Sequence, residues 1–244
     1  MDKKIDELRK LIQDAKRIVF MTGAGVSVPS GIPDFRSANG LYSTPYGNLN
    51  PETIISHSFF VAHPDEFYRF YRDKMIYEDA KPNVIHKTMA LLEEKGKSLG
   101  VITQNIDGLH QLAGSKDVLE LHGTILKNEC MKCGKKYDLD IVTKTAGVPH
   151  CDCGGIIKPV VTLYEESLDY DCMRKAVDRL RQADLLIVVG TSLVVNPAAS
   201  LVSYFGGSKF VIVTMSETPY DRYADLIIRD KAELVFEEVR KDYL

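Results

Sequence analysis

Leu121-His122-Gly123 sets an imidazole directly after a short expected strand, between an apolar residue and a glycine. With an ordinary pKa of about 6.5, His122 is the best-suited general base in the chain at neutral pH; the bland reading is a satisfied core histidine. His57, His63, His86, His110 and His150 lack such a setting, and His110 is the nearest competitor. Thr103-Gln104-Asn105-Ile106-Asp107 ends another apolar run. Open α/β sheets bind ligands at such strand ends. Gln104 and Asn105 carry amides suited to ribose hydroxyls or a carboxamide, and Asp107 can accept from an amide NH₂. A helix cap near Gly108 would explain Asp107, but not three polar groups together.

Gly23-Ala24-Gly25 follows the run Ile18–Thr22. Glycines there let backbone N–H groups approach a pyrophosphate. Val28 fills the place of the third glycine of a G-x-G-x-x-G fingerprint, so this turn alone reads equally well as a turn without a ligand. Ser30-Gly31-Ile32-Pro33-Asp34-Phe35-Arg36 places a ring, a carboxylate and a guanidinium on one constrained loop. Phe35 can shield a reactive centre and Arg36 can meet phosphate; the plain alternative is a surface turn with a local Asp34–Arg36 pair. Gly190-Thr191-Ser192 supplies hydroxyls and N–H groups for a second part of a nucleotide. Leu193-Val194-Val195 is apolar and able to pair with an extended peptide.

The most specific spacing belongs to the cysteines. Cys130-x-x-Cys133 and Cys151-x-Cys153 are separated by 17 residues, and each pair is followed by glycine, which favours a tight metal knuckle. Four thiolates close a structural zinc site and leave no open coordination position. The second pair is one residue short, so His150 is the alternative to Cys151 as a ligand. Cys172 reads as a small apolar residue.

These groups need elements to hold them. Strands are expected at Ile18–Thr22, 99–103, 118–121, Leu185–Val189, 210–214 and 225–228. Helices are expected at 3–15, 83–95, 169–182 and 197–205, the last with Asn196 as cap and Pro197 at its first position. The rhythm is that of an α/β fold with a mostly parallel sheet covered on both faces. Two stretches break it: 40–80, aromatic-rich and helical, and 127–157, which carries the cysteines. One domain, 1–244, therefore divides into a large lobe from 1–39, 81–126 and 158–244 and a small lobe from the two insertions. The cleft between lobes is the expected ligand site.

At 244 residues the chain can bury roughly 70–75% of its unfolded surface, so its main core needs no metal. A net charge of −3 with scattered basic residues gives no reason to expect nucleic acid or membrane as partner. The opening MDKKIDELRKLIQDAKR is charged and amphipathic, with Ile5, Leu8, Leu11, Ile12 and Ala15 on one face, unlike a signal peptide. No apolar run reaches the roughly 18 residues of a membrane span. A cytoplasmic setting is expected, in which paired cysteines favour metal over disulfides. Nothing in the surface composition forces a dimer.

Together, GAGVSVPSGIPDFRS, TQNIDGLH, LHG, the cysteine module and GTSLVVNPAA resemble the bacterial type of the sirtuins, NAD-dependent protein deacylases, in that family's order from Gly23 to Ala199. The resemblance implies a six-stranded Rossmann-type large lobe, with a small lobe formed by a helical insertion and a module holding one structural zinc ion. It implies that Gly23, Ala24, Gly25, Phe35, Arg36, Gln104, Asn105, Ile106, Asp107, Gly190, Thr191 and Ser192 line the NAD site. Asn105 and Asp107 would then hold the nicotinamide end, with His122 as the base. The acyl oxygen of an acyl-lysine would attack the ribose carbon bearing nicotinamide, and His122 would take a ribose hydroxyl proton. NAD would be consumed, giving nicotinamide, O-acetyl-ADP-ribose and free lysine. Val160 and Val161 on one side and Leu193, Val194 and Val195 on the other would sandwich the acyl-lysine peptide as an added strand.

Departures from the family pattern are specific. Leu163-Tyr164-Glu165 stands where Phe-Gly-Glu is common, and Thr214 where an asparagine meets the adenosine ribose. Members preferring succinyl- or malonyl-lysine carry Tyr-x-x-Arg in the helical insertion, whereas this chain has Tyr71 and Lys74 at that spacing. Lysine lacks the fork that suits arginine to a carboxylate, and the plain alternative for the pair is a solvent-facing charge beside a core aromatic, so deacetylation leads and acidic deacylation is the alternative. Mono-ADP-ribosyl transfer and a non-catalytic NAD or ADP-ribose sensor are the other readings. A binding module would not need the base.

Overall fold

The computed structural model describes residues 2–243. In chain order they form α1 (Asp2–Asp14), β1 (Ile18–Thr22), α2 (Pro51–Ile54), α3 (His57–Ala62), α4 (Pro64–Lys74), α5 (Val84–Glu94), β2 (Ser98–Thr103), α6 (Leu109–Leu112), β3 (Val118–Glu120), β4 (Gly123–Cys130), β5 (Lys136–Asp138), α7 (Asp140–Thr143), β6 (Ile157–Val161), α8 (Tyr170–Gln182), β7 (Leu185–Val189), β8 (Lys209–Val213), β9 (Leu226–Ile228) and α9 (Ala232–Arg240).

β1 and β7 are buried at every position, as expected of strands covered on both faces. They lie at the centre of a six-stranded parallel sheet in the order β3-β2-β1-β7-β8-β9. This is the doubly wound order, in which the direction of winding reverses between β1 and β7. One face is covered by α1, α5 and α9, which pack Ile5, Leu8, Ile12, Ile85, Met89, Val235 and Phe236 against Ile18, Phe20 and Val211. The other is covered by α8 and the segment after β7, with Ala176, Leu180, Leu201 and Val202 against Val19, Met21 and Val188.

The strands expected from sequence all form, with ends displaced by at most one residue. So do the helices expected at 3–15, 83–95 and 169–182; Asn83 and Asp169 cap two of them through the amides of Ile85 and Cys172. The helix expected at 197–205 does not. Asn196–Pro197 is a cis peptide, and the segment is a 3₁₀ helix over Ala199–Tyr204 without a side-chain cap. Ser200 and Ser203 each donate to the carbonyl three residues back, at 2.7 Å. Such local side-chain bonds compete with the α-helical ladder. α9 has no counterpart in the expectations, although Ala232, Val235, Phe236 and Val239 bury one helical face.

The aromatic-rich stretch folds into α2–α4. Phe60, Phe67, Tyr68, Phe70 and Tyr71 form a cluster with Ile125 of β4, Val161 of β6 and Leu163. The Tyr68 hydroxyl donates to the carbonyl of Ile157, and Arg72 Nε donates to that of Val142 at 2.7 Å. The helical excursion and the antiparallel sheet β5-β4-β6 thus share one core. Among the described residues no helix is long and apolar enough to cross a membrane.

Candidate active site

A cavity of about 780 Å³ opens where the winding reverses, above the C-terminal ends of β1, β2 and β7. Its floor depends on glycine. A Cβ on Gly25 would come within 2.8 Å of the Gly190 backbone, so the turns after β1 and β7 touch main chain to main chain. Gly25 N–H donates to the Gly190 carbonyl at 2.9 Å.

Gly23, Ala24, Gly25, Phe35, Arg36, Gln104, Asn105, Ile106, Asp107, His122, Gly190, Thr191 and Ser192 all line this one cavity. The polar groups are cross-braced. Gln104 Nε2 donates to Thr191 Oγ1 at 3.1 Å, joining the ends of β2 and β7. Buried Asn105 donates through Nδ2 to Ser27 Oγ at 3.1 Å, and Ser27 donates to Asp107 at 2.6 Å. The second Asp107 oxygen accepts from Leu109 N at 2.9 Å, so the helix-cap reading holds for one oxygen. Ser27 is a site residue that the sequence reading missed, although it stands inside the GAGVS run.

His122 sits on the cavity wall between β3 and β4. Its Nδ1 lies 2.9 Å from the Gln104 carbonyl oxygen, which can only accept. The proton is therefore on Nδ1, and Nε2 keeps its lone pair. Burial lowers the His122 pKa, with the carbonyl partly opposing, so the imidazole is neutral at pH 7. Gly123 explains the Leu-His-Gly signal: its φ is 76°, and a Cβ there would meet the Val160 carbonyl at 2.1 Å. Only glycine lets the chain leave His122 and pass directly against β6.

His110, the competing histidine, is sealed in the interior, with Nε2 3.0 Å from Thr22 Oγ1 and its ring 4.8 Å from that of His86. Burial pushes His86 down to about 4, against the opposing pull of Asp107, and burial together with His86 pushes His110 down to about 3. In the unfolded chain both take a proton near 6.5. Between those values the unfolded state binds more protons, so this contribution to stability is complete above pH 6.5 and is lost as pH falls towards 4 and then 3. Each group steepens the acid loss by up to about 1.4 kcal/mol per pH unit. Urea unfolding of wild type and His110→Gln between pH 7 and pH 4.5 checks this; the variant is expected to lose stability less steeply, and equal slopes would refute the assignment.

The remaining expected residues separate. Val161 and Val195 line the cavity. Val160 and Val194 are 41% and 48% exposed, whereas Leu193 is only 2% exposed and packs in the core below β7. β6 is an edge strand, so its outer side is free of strand partners among the described residues. Tyr71 and Lys74 both line the cavity, and among the described residues no hydrogen bond joins them. The Tyr71 ring stacks on Phe67, and Lys74 Nζ bonds to Asp73 at 3.2 Å. The far end of the cavity, around Thr214, Met215 and Lys231 to Glu233, held no expected residue except the Thr214 position.

Away from the cavity, the sulfurs of Cys130, Cys133, Cys151 and Cys153 all lie within 4.8 Å of one another. Two of their separations, 3.5 and 3.6 Å, approach the edge of about 3.8 Å expected for a tetrahedron with Zn–S bonds of about 2.3 Å. Gly134 N–H and Gly154 N–H close the knuckles on the carbonyls of Cys130 and Cys151. Tyr137 donates to Cys151 Sγ at 3.0 Å, which favours the thiolate a metal needs. His150 is outside the cluster, its Nδ1 2.8 Å from the Val148 carbonyl. The donor set suits one zinc ion held for structure.

The profile of the Sir2 family matches residues 23–197. The chain is a member of the Sir2 family. A Clostridium acetobutylicum relative named NAD-dependent protein deacetylase is 54% identical over 239 residues, 97% of this chain and 98% of its own. A Staphylococcus aureus (strain N315) protein of the same name is 45% identical over 94% and 95% of the two chains. A solved Sir2 with deacetylated p53 peptide and 3'-O-acetyl ADP-ribose shares 42% identity and a TM-score of 0.90, over 98% of each chain. A Sir2–p53 peptide–NAD+ structure shares 41% identity and a TM-score of 0.87, again over 98% of each. The overall fold of this Sir2 protein is thus that of solved Sir2 structures.

Proposed function

We infer that this Sir2-family chain is an NAD-dependent protein-lysine deacetylase, consuming NAD and an acetyl-lysine peptide and releasing nicotinamide and O-acetyl-ADP-ribose. The observation that carries this reading is the neutral His122, with its Nδ1 proton held by the Gln104 carbonyl and its Nε2 free, in a cavity of dinucleotide size. Relatives named for this activity, similar along nearly the whole chain, support it.

The main-chain turns at Gly23–Gly25 and Gly190–Ser192 receive the dinucleotide phosphates, and Asn105 and Asp107, braced through Ser27, orient the nicotinamide end. Phe35 covers the reacting ribose once nicotinamide has left. The Nε2 atom of His122 takes the ribose hydroxyl proton, and the Gln104 carbonyl stabilises the imidazolium that results. The peptide adds along the free edge of β6 at Val160 and Val161, with Val194 and Val195 opposite. Leu193, packed in the core, supports that segment from below. Zinc, held by Cys130, Cys133, Cys151 and Cys153, supplies cross-linking only. The lobe division at 40–80 and 127–157 and a cytoplasmic location complete the reading; cysteines paired at metal-ligand spacing favour a metal over disulfides there.

Nicotinamide release from NAD with matched acetyl- and succinyl-lysine peptides, with peptide mass read in the same tube, tests the function. Acetyl-dependent release with loss of the acetyl mass is expected. Release with the succinyl peptide alone would reassign Tyr71 and Lys74 as acyl selectors, and no release with either would overturn the deacetylase reading.

A further inference from the structure

Tyr164 bridges two parts of the cavity wall that no backbone hydrogen bond joins. Its own main chain is rigidly held: Tyr164 N donates to the Ile55 carbonyl and the Tyr164 carbonyl accepts from His57 N, both at 3.0 Å. The flanking residues reinforce this strap. Glu165, at a φ of 75°, accepts from Ser58 N and Oγ at 2.9 Å, and Glu166 accepts from Leu163 N at 2.8 Å and Lys158 Nζ at 3.0 Å. The Tyr164 side chain, 38% exposed, leaves the strap and reaches the loop that carries Phe35 and Arg36.

There its hydroxyl is a hub, 3.4 Å from Arg36 Nη2, 3.3 Å from the Tyr42 hydroxyl and 3.5 Å from Glu52 Oε1. Arg36 lies over the Tyr42 ring at 5.4 Å, and that ring also meets Phe35 at 5.4 Å. Burial and the Tyr164 hydroxyl hold the Tyr42 phenol neutral. The loop is internally tied, with Leu41 N and Tyr42 N donating to the Asp34 and Phe35 carbonyls, so it can shift as a unit. Tyr164 is therefore the link between a strap continuous with β6 and a loop over the cavity.

We propose that Tyr164 is a positioning residue that holds the Phe35–Arg36 loop closed over the ADP-ribose part of the co-substrate. This rests on the deacetylase reading for the identity of that ligand. Its phenol orients the Arg36 guanidinium towards bound phosphate and cuts the conformational freedom lost on binding. It touches no reacting atom, so its effect falls on affinity and not on the chemical step.

The test is titration of ADP-ribose into wild type, Tyr164→Phe, Arg36→Lys and the double variant, with acetyl-peptide turnover and melting measured on the same preparations. Tyr164→Phe keeps the ring and loses only the hydroxyl. It is expected to bind ADP-ribose about fivefold more weakly and to raise KM for NAD similarly, as for loss of one hydrogen bond, with kcat within about twofold. Added to Arg36→Lys, it is expected to have a clearly less than additive effect, because the Arg36 contact is shared by the two residues. Unchanged ADP-ribose affinity, a loss confined to kcat, or full additivity with Arg36→Lys would overturn the proposal. Wild type without acetyl-dependent nicotinamide release would remove the deacetylase reading, while the ADP-ribose titration still decides the role of Tyr164.

Discussion

His122→Ala is expected to lower acetyl-lysine turnover by about 10²–10⁴-fold while leaving ADP-ribose affinity within about twofold. The asymmetry follows from geometry. The His122 imidazole has one nitrogen on the Gln104 carbonyl and no other hydrogen-bond partner among the described residues, so its removal disturbs neither the Gln104–Thr191 brace nor the Asn105–Ser27–Asp107 chain. What is lost is a neutral base at the cavity wall. If, as proposed, attack by the acyl oxygen comes before His122 removes a proton, exchange of free nicotinamide into NAD should survive far better than product formation. Wild-type kcat/KM should fall in acid only below the ordinary histidine range, since burial lowers the His122 pKa and the base form is lost on protonation. Single-turnover assays and a pH profile measure both. A variant retaining more than about a tenth of wild-type turnover would deprive His122 of its role as base.

Removing zinc is expected to cost at least about 4 kcal/mol of stability, or about 8–16 °C in melting temperature for a chain of this size. Val142 of the module packs on the aromatic core, but the knuckles around the sulfurs have little else to hold them. Their local cluster is Cys130, Cys151 and Ile157 with Tyr137 and Ile141 against them, and β5 is three residues long. The six-stranded sheet, in contrast, is sandwiched by two apolar clusters that need no metal. Chelation or Cys130→Ser should therefore raise amide exchange in β4, β5 and β6 while β1, β7 and β8 stay protected. Activity should fall with the loss of the β6 edge, not through any missing chemistry. Metal analysis should give one zinc per chain, and a zinc-free protein with unchanged melting and full turnover would contradict the structural assignment.

The sheet was legible because its central strands β1 and β7 are short, rich in branched apolar residues and buried at every position, and because α1, α5 and α8 carry clean apolar faces. The segment after β7 was misread because Asn-Pro is a sound local start signal, but serine side chains claim carbonyls that an α-helix would use. Tyr71 and Lys74 share a helix face by spacing, yet packing draws the tyrosine into the aromatic core and leaves the lysine to Asp73. Leu193 was likewise taken from a peptide-facing stretch into the core.

The sequence by itself determined the types of chemistry available: a lone well-placed imidazole, amide and carboxylate groups at strand ends, glycine turns and four paired cysteines. These are set by residue identity and short-range spacing. Only the tertiary structure decided which of them meet. That His122 is fixed by the Gln104 carbonyl, that Asp107 is shared between a helix cap and Ser27, and that Tyr164 reaches Arg36 all join residues far apart in the chain. Such contacts depend on how the sheet, the strap and the loop pack together, and local pattern carries no record of that packing.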